Sequence, residues 1–177
     1  MFKVLPPVLL ALSLCACVPP QTEAQEESIP LGSSSGKVLC APGYTRPNFA
    51  ALRRELTAAQ VVWETANVRD YSYSFAQIAA PVRFPTVRVT VRGGVAQPVT
   101  LAAGETGEPG TQARGAVEDR FADIAQKLAY QETQPCPVVE VSYDARNGHP
   151  TRLSTGTGQE NIADGNGEWT VTNFTRP

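Results

Sequence analysis

The sequence has a single histidine, His149, and a single methionine, Met1, and none of its four cysteines forms a Cys-x-x-Cys pair. Each shortage excludes a chemistry. Zinc sites need several nitrogen or sulfur ligands, and a Ser-His-Asp site needs an oriented imidazole beside a serine on a strained turn. No Gly-x-Ser-x-Gly elbow is present. A dithiol redox centre would need the missing cysteine spacing. The amino-terminal apolar run, Val4 to Leu14, has about eleven residues, whereas a membrane-spanning helix needs about 20. A basic excess is also lacking, because 15 Lys and Arg stand against 17 Asp and Glu, which argues against a nucleic-acid partner.

What is present begins with that apolar run. Lys3, the run itself and small Ala16 before Cys17 have the pattern of a secretory leader. The residues Leu14-Cys15-Ala16-Cys17 resemble the bacterial lipobox, in which a small residue precedes the cysteine that becomes lipidated. Cys15 fits less well, since cleavage there would follow bulky Leu14. The expectation is a signal peptide over residues 1–16, lipidated Cys17, and attachment to a membrane of the bacterial cell envelope on its extracytoplasmic side. An unlipidated secreted form and a transmembrane anchor are the alternatives, the second disfavoured by length. Each buried methylene contributes about 0.8 kcal/mol, so more than one acyl chain holds a protein stably.

Residues 17–39 read as a flexible tether, with Pro19, Pro20, three glutamates and the run Gly32-Ser33-Ser34-Ser35-Gly36. Residues 40–177 are then one domain. Asn48 is the expected N-cap of a helix over residues 48–67, because Phe49, Leu52, Leu56, Ala59, Trp63 and Ala66 recur at three- and four-residue steps. Tyr71, Tyr73 and Phe75 alternate with serines as in a half-buried strand. Val87 to Arg92 is a second strand, Gly93-Gly94 a hairpin turn, and Val95 to Ala102 its return. After a loop over residues 105–115, Val117, Phe121, Ile124, Ala125 and Leu128 mark a second helix ending near Ala129. Strands follow at Val139 to Asp144, Thr151 to Ser154 and Trp169 to Phe174, with Arg146-Asn147-Gly148 as a turn. The expected fold class is α+β, two helices packed on one face of an antiparallel sheet, with a helix-then-three-strands arrangement occurring twice.

These pieces carry a resemblance. Trp63 with Asp70-Tyr71-Ser72-Tyr73-Ser74-Phe75, Pro85 to Val95, Val117-Glu118-Asp119-Arg120-Phe121, and Val139 to Asp144 with Gly148-His149-Pro150-Thr151 resemble the DUF6174 family of bacterial envelope proteins. The resemblance implies an exported, often lipidated domain of uncharacterised role and transfers no catalytic residue. Relatives often carry a close cysteine pair after the Tyr-x-Tyr strand, where this chain has Gln77-Ile78-Ala79-Ala80.

The remaining candidates are few. Cys40 and Cys136 are expected to form a disulfide in an oxidising compartment, with two separate buried thiols or a redox pair as the alternatives. Arg88 and Arg92 lie on one face of a strand, near Arg83, as a solvated sheet face or an anion site. Asp164, Asn166 and Glu168 alternate before the last strand, as a plain turn or as oxygen ligands without the EF-hand pattern. His149, in its turn, reads as a packing ring. No catalytic residue, metal or cofactor is expected. Three functions follow in order: a noncatalytic module that binds or scaffolds another envelope component, a small-ligand or ion-binding module, and an enzyme using carboxylates such as Asp144 and Glu140. An aromatic-lined cleft would favour the second over the first.

Overall fold

A computed structural model describes residues 39–160, 162 and 165–177. The leader, Cys17, nearly all of the expected tether and Asp164 lie outside the described residues.

The first helix, α1 (Phe49–Ala66), starts where the Asn48 side chain accepts the Ala51 N–H at 3.0 Å. It stops at Asn67, whose φ of 45° is the left-handed conformation common at helix ends. Phe49, Leu56, Ala59 and Trp63 form its buried stripe. The second helix, α2 (Val117–Glu132), starts where the Asp119 carboxylate takes the Ala116 N–H at 2.6 Å. Val117, Phe121, Ile124 and Leu128 are buried as their spacing predicts. Ala125 is exposed, contrary to that expectation, because one step past Ile124 rotates it about 100° off the stripe. Arg120 and Gln131 are buried in its stead. The helix also runs past Ala129, since Arg46 and Arg53 hold its last turn: Arg46 donates to the Glu132 carbonyl at 2.6 Å and Arg53 pairs with the Glu132 carboxylate.

The strands are β1 (Tyr71–Ala79), β2 (Val82–Arg83), β3 (Val87–Arg92), β4 (Val95–Ala96), β5 (Thr100–Leu101), β6 (Pro137–Tyr143), β7 (Pro150–Thr157) and β8 (Gly167–Thr175). Their antiparallel order is β4-β3-β1-β8-β7-β6, with β2 paired to β1 and β5 to β3. α1 precedes one half of the sheet and α2 the other, and the halves join where the last strand lies beside the first. Three full strands follow α2. After α1 only β1 and β3 are long, and the expected return from Val95 to Ala102 is split. Pro98 has no N–H to donate, so pairing stops after Gln97 donates to Thr90 and resumes at Thr100. Gly93 and Gly94, at φ 57° and 81°, make the expected tight turn.

Alternation decides the two faces. Tyr71, Tyr73, Phe75, Val87, Val89 and Val91 are all 2% exposed or less and form the centre of the core beneath the helices. One inserted residue keeps β8 in phase with this pattern. Between the pairs Ser74–Thr172 and Ser72–Thr175 the register slips, and Asn173, at φ 51°, is the extra residue of a β-bulge. Phe174 therefore joins Trp169 and Val171 on the helix side and lies against Trp63 and Tyr71, with ring centroids 6.0 and 5.3 Å away.

Two further contacts fix the periphery. At Gly148 (φ 77°) the β6–β7 turn presses on α1 so closely that a Cβ would lie 2.3 Å from the Ala59 carbonyl oxygen. Cys40 and Cys136 form the expected disulfide, with Cα atoms 5.6 Å apart across 96 residues of sequence.

Candidate functional site

Several clefts among the described residues gather polar side chains, and two features bear on function. The larger is a cleft of about 290 Å³ between the end of α1 and the start of α2. Gln60, Trp63 and Glu64 line it from α1, Val68 and Arg69 from the link into β1, and Glu118 and Phe121 from α2. Its shape follows from an anchored indole: Trp63 donates from Nε1 to the Glu118 carboxylate at 2.8 Å, and the preceding residue, Val117, donates its N–H to the Tyr71 hydroxyl at 2.8 Å. Asp123 holds the second indole in the same manner, accepting from Trp169 Nε1 at 2.7 Å. Two α2 carboxylates thus satisfy both tryptophan N–H groups of the core. Trp63 and Phe121 are each 3% exposed, so they give the cleft its floor rather than open ring faces.

The second feature is the sheet face that the helices leave uncovered. Register places Thr100, Arg88, Ser74 and Thr172 in one row across it, and Thr90, Ser72 and Thr175 in the next. Toward the other end of the strands, Arg152 bridges Glu140 at 2.9 Å and Glu168 at 2.8 Å. Hydrogen bonds from Arg152 hold the Glu168 carboxyl below its ordinary range. No carboxylate stands within 4.0 Å of Arg88, Arg92 or Arg176 among the described residues. Arg88 instead donates to Ser72 Oγ at 2.5 Å, Thr175 Oγ1 at 3.0 Å and the Asn173 carbonyl at 3.2 Å. Beside it lies a groove of about 160 Å³ lined by Ser72, Thr90, Arg92, Thr175 and Arg176.

Other titratable candidates have structural partners. Asp144 accepts the backbone N–H groups of Arg146 and Asn147 at 2.9 and 3.0 Å. Burial pushes its carboxyl up, but those donors and the charges of His149 and Arg146 outweigh it, and the net direction is down. Glu140 is engaged separately by Arg152 on the open face. Tyr73, pushed up to about 12 by burial, donates to the Gly115 carbonyl and stays protonated at physiological pH.

His149 is a packing ring, as expected. It is buried, stacks on Phe174 at 4.3 Å between centroids, and has Nδ1 2.5 Å from Asn147 Oδ1. Burial lowers its pKa from 6.5, with Arg176 acting in the same direction and Asp144 against it. Between that depressed value and the ordinary one, the unfolded chain binds the proton that the folded chain refuses, so stability rises with pH through this window. Urea unfolding is expected to show stability falling as pH drops below about 6.5. Since no other histidine exists, His149→Phe is expected to flatten that part of the profile, and an unchanged slope in the variant would refute the assignment.

The candidates read from sequence therefore do not converge. Arg88 and Arg92 share the open face; Arg83 is exposed on β2, outside the groove; Glu168 is bound to Arg152; Asp164 and Cys17 lie outside the described residues. Sequence reading missed Glu118, Asp123, Arg152 and Arg176: the roles of the first two depend on partners 46 or more residues away, that of Arg152 on strand register, and that of Arg176 on the groove it lines just past the end of β8.

Comparison with known proteins adds one finding. A family model described as DUF6174, a family of unknown function, matches residues 55–176, a span that includes both helices' cleft, the open face and the groove-lining arginines. No curated protein and no solved structure matches the chain.

Proposed function

The chain belongs to the DUF6174 family, and from that premise we propose that it is a noncatalytic binding module of the bacterial envelope, held to a membrane by lipid on Cys17. The observation that carries this reading is the asymmetry of the sheet. One face lies under both helices, while the other presents hydroxyls with Arg88 and Arg92, cations that no carboxylate of the described residues neutralises. A sheet face of this kind suits recognition of another envelope component by charge complementarity. The leader pattern and the Cys40–Cys136 bridge support an oxidising, extracytoplasmic setting. Asp144 and Glu140, held apart in a turn and an ion pair, lend no support to the enzyme alternative.

Cross-linking in intact envelopes, followed by capture of the tagged chain, tests the reading. A defined partner is expected, lost when Arg88 and Arg92 are both changed to Glu, and Cys17→Ser is expected to move the chain to the soluble fraction. Recovery of nothing above background, or membrane retention of the Cys17 variant, would overturn it. The cleft of about 290 Å³ favours a second reading, a small-ligand module, although its size is at the lower limit of ligand sites. A small molecule retained in native mass spectrometry in place of a protein partner would select that reading.

A further inference from the structure

The groove beside Arg88 has a narrower chemistry than the face around it. Five side chains line it with donors: the guanidinium groups of Arg92 and Arg176 and the hydroxyls of Ser72, Thr90 and Thr175. Tyr71 and Pro177 complete its walls. Arg88 sets the state of two of those hydroxyls. Ser72 Oγ and Thr175 Oγ1 both accept from Arg88 Nη2, and they stand 3.0 Å from each other, so one hydroxyl donates to the other and the remaining hydrogen is free for a ligand. No Asp or Glu side chain lines the groove.

Charge along the face is segregated in the same sense. Glu140 and Glu168, the two carboxylates on strand residues of the open face, are both drawn to Arg152, in rows nearer the far end of the strands, and Asp70, just before β1, accepts the Gly93 N–H at 3.1 Å. No carboxylate of the described residues pairs directly with the arginines at the groove, and compact anions are what such a field attracts. A guanidinium fork matches the spacing of phosphate oxygens, and a tetrahedral group with several oxygens can use more of these donors than a planar carboxylate. A cavity of about 160 Å³ suits one such group and not a nucleotide.

We infer that this groove binds a single phosphate group, as a monoester or diester, carried by a component held away from the bilayer. The inference rests on the binding-module reading and names the chemistry of its contact. Position argues for a source off the bilayer, and vesicle flotation tests it. The chain enters the described fold at Leu39, whose carbonyl accepts the Glu160 N–H at 3.1 Å, and at Cys40, which pairs with Gln159 and is bridged to Cys136 beside the start of β6 and the end of β7. The groove sits at the opposite end of the strands, where β1 begins and β3 and β8 finish. From Ser72 to Ala79 along β1 alone the separation is about 23 Å. Lipid attached upstream of Leu39 therefore tethers the end of the sheet that lacks the groove.

The test uses the full-length chain in detergent and sn-glycerol 3-phosphate as the probe. Calorimetric titration is expected to give one saturable site, weakened about tenfold or more by Arg92→Glu and less by Arg92→Gln, with Arg83→Glu within about twofold of the parent. Absence of saturable binding, or equal weakening by Arg83→Glu, overturns the site. A second arm separates the sources. The Cys17→Ser chain is expected not to float with phosphatidylglycerol vesicles more than with phosphatidylcholine vesicles, and flotation that depends on Arg92 overturns the assignment to a component off the bilayer. A parent chain that ignores glycerol phosphate yet keeps a cross-link that the Arg88→Glu, Arg92→Glu double variant loses overturns this inference alone, whereas absence of any cross-linked partner from the parent chain overturns the reading beneath it.

Discussion

Reduction of the Cys40–Cys136 bridge is expected to cost the chain about 4.7 kcal/mol of stability, the chain-entropy value for closing a loop of this length. The physical source is the unfolded state, where the bridge removes the freedom of 96 residues that include both helices and five of the eight strands. The folded side loses something as well. The bridge seats the segment before α1, where the Tyr44 hydroxyl donates to the Pro137 carbonyl at 2.8 Å and Arg46 reaches the carbonyls of Glu132, Gln134 and Pro135. Those bonds tie the entry of α1 to the exit of α2, and a freed segment would fray. Guanidinium unfolding with and without a reductant checks the number, with the Cys40→Ser, Cys136→Ser double variant as the control. Midpoints that agree within error would show that the bridge adds nothing. An exported protein that depends on its disulfide in this way would fail to accumulate in a reducing compartment, which ties this stability term to the proposed location.

The bridge was legible in the sequence because composition left few partners. So were α1 with its Asn48 cap, the inward set Tyr71, Tyr73 and Phe75, and the Gly93-Gly94 turn, since each is fixed by periodicity or by a local conformational demand. What escaped has a non-local cause. The pairing of β8 with β1 joins residues about 100 positions apart, and no pattern within either strand announces its neighbour. Asn173 is an ordinary residue in sequence, and its bulge exists only because Thr172 and Thr175 both face the open side while Phe174 must reach Trp63. Pro98 was the visible signal for the break between β4 and β5, and the alternation around it concealed that signal. Among the site residues, Arg88 and Arg92 could be placed on one face by alternation alone. That they lack carboxylate partners, while Arg152 has two, depends on a register set by the whole sheet.

Arg120 is the clearest case of a residue whose role sequence would misassign, and it governs the second large effect. A charged residue one step before Phe121 reads as helix surface, yet Arg120 is 3% exposed, with its guanidinium 4.7 Å from the centroid of the Phe75 ring. It donates from Nη2 to the Arg114 carbonyl at 2.8 Å, and neither Nε nor Nη1 has a partner among the described residues. The ring face of Phe75 is thus one of the few favourable surroundings this buried cation has. Phe75 is itself 1% exposed and packs against Trp169 at 6.0 Å between centroids. Truncation of Phe75 to Ala is expected to cost about 3–5 kcal/mol, the ordinary penalty for a core phenylalanine, raised toward its upper end by the loss of the ring beneath the charge. The two contributions can be separated. Arg120→Met keeps a similar length without charge, and replacing a buried unpaired ion by an apolar chain is neutral or stabilising by about 1–4 kcal/mol. Phe75→Ala made in the Arg120→Met background should then cost less than in the parent, by the cation–ring coupling. Denaturant unfolding of the four chains of this cycle gives that difference directly. Equal costs of Phe75→Ala in both backgrounds would show that the ring supports the core alone and contributes nothing to holding the guanidinium inside it.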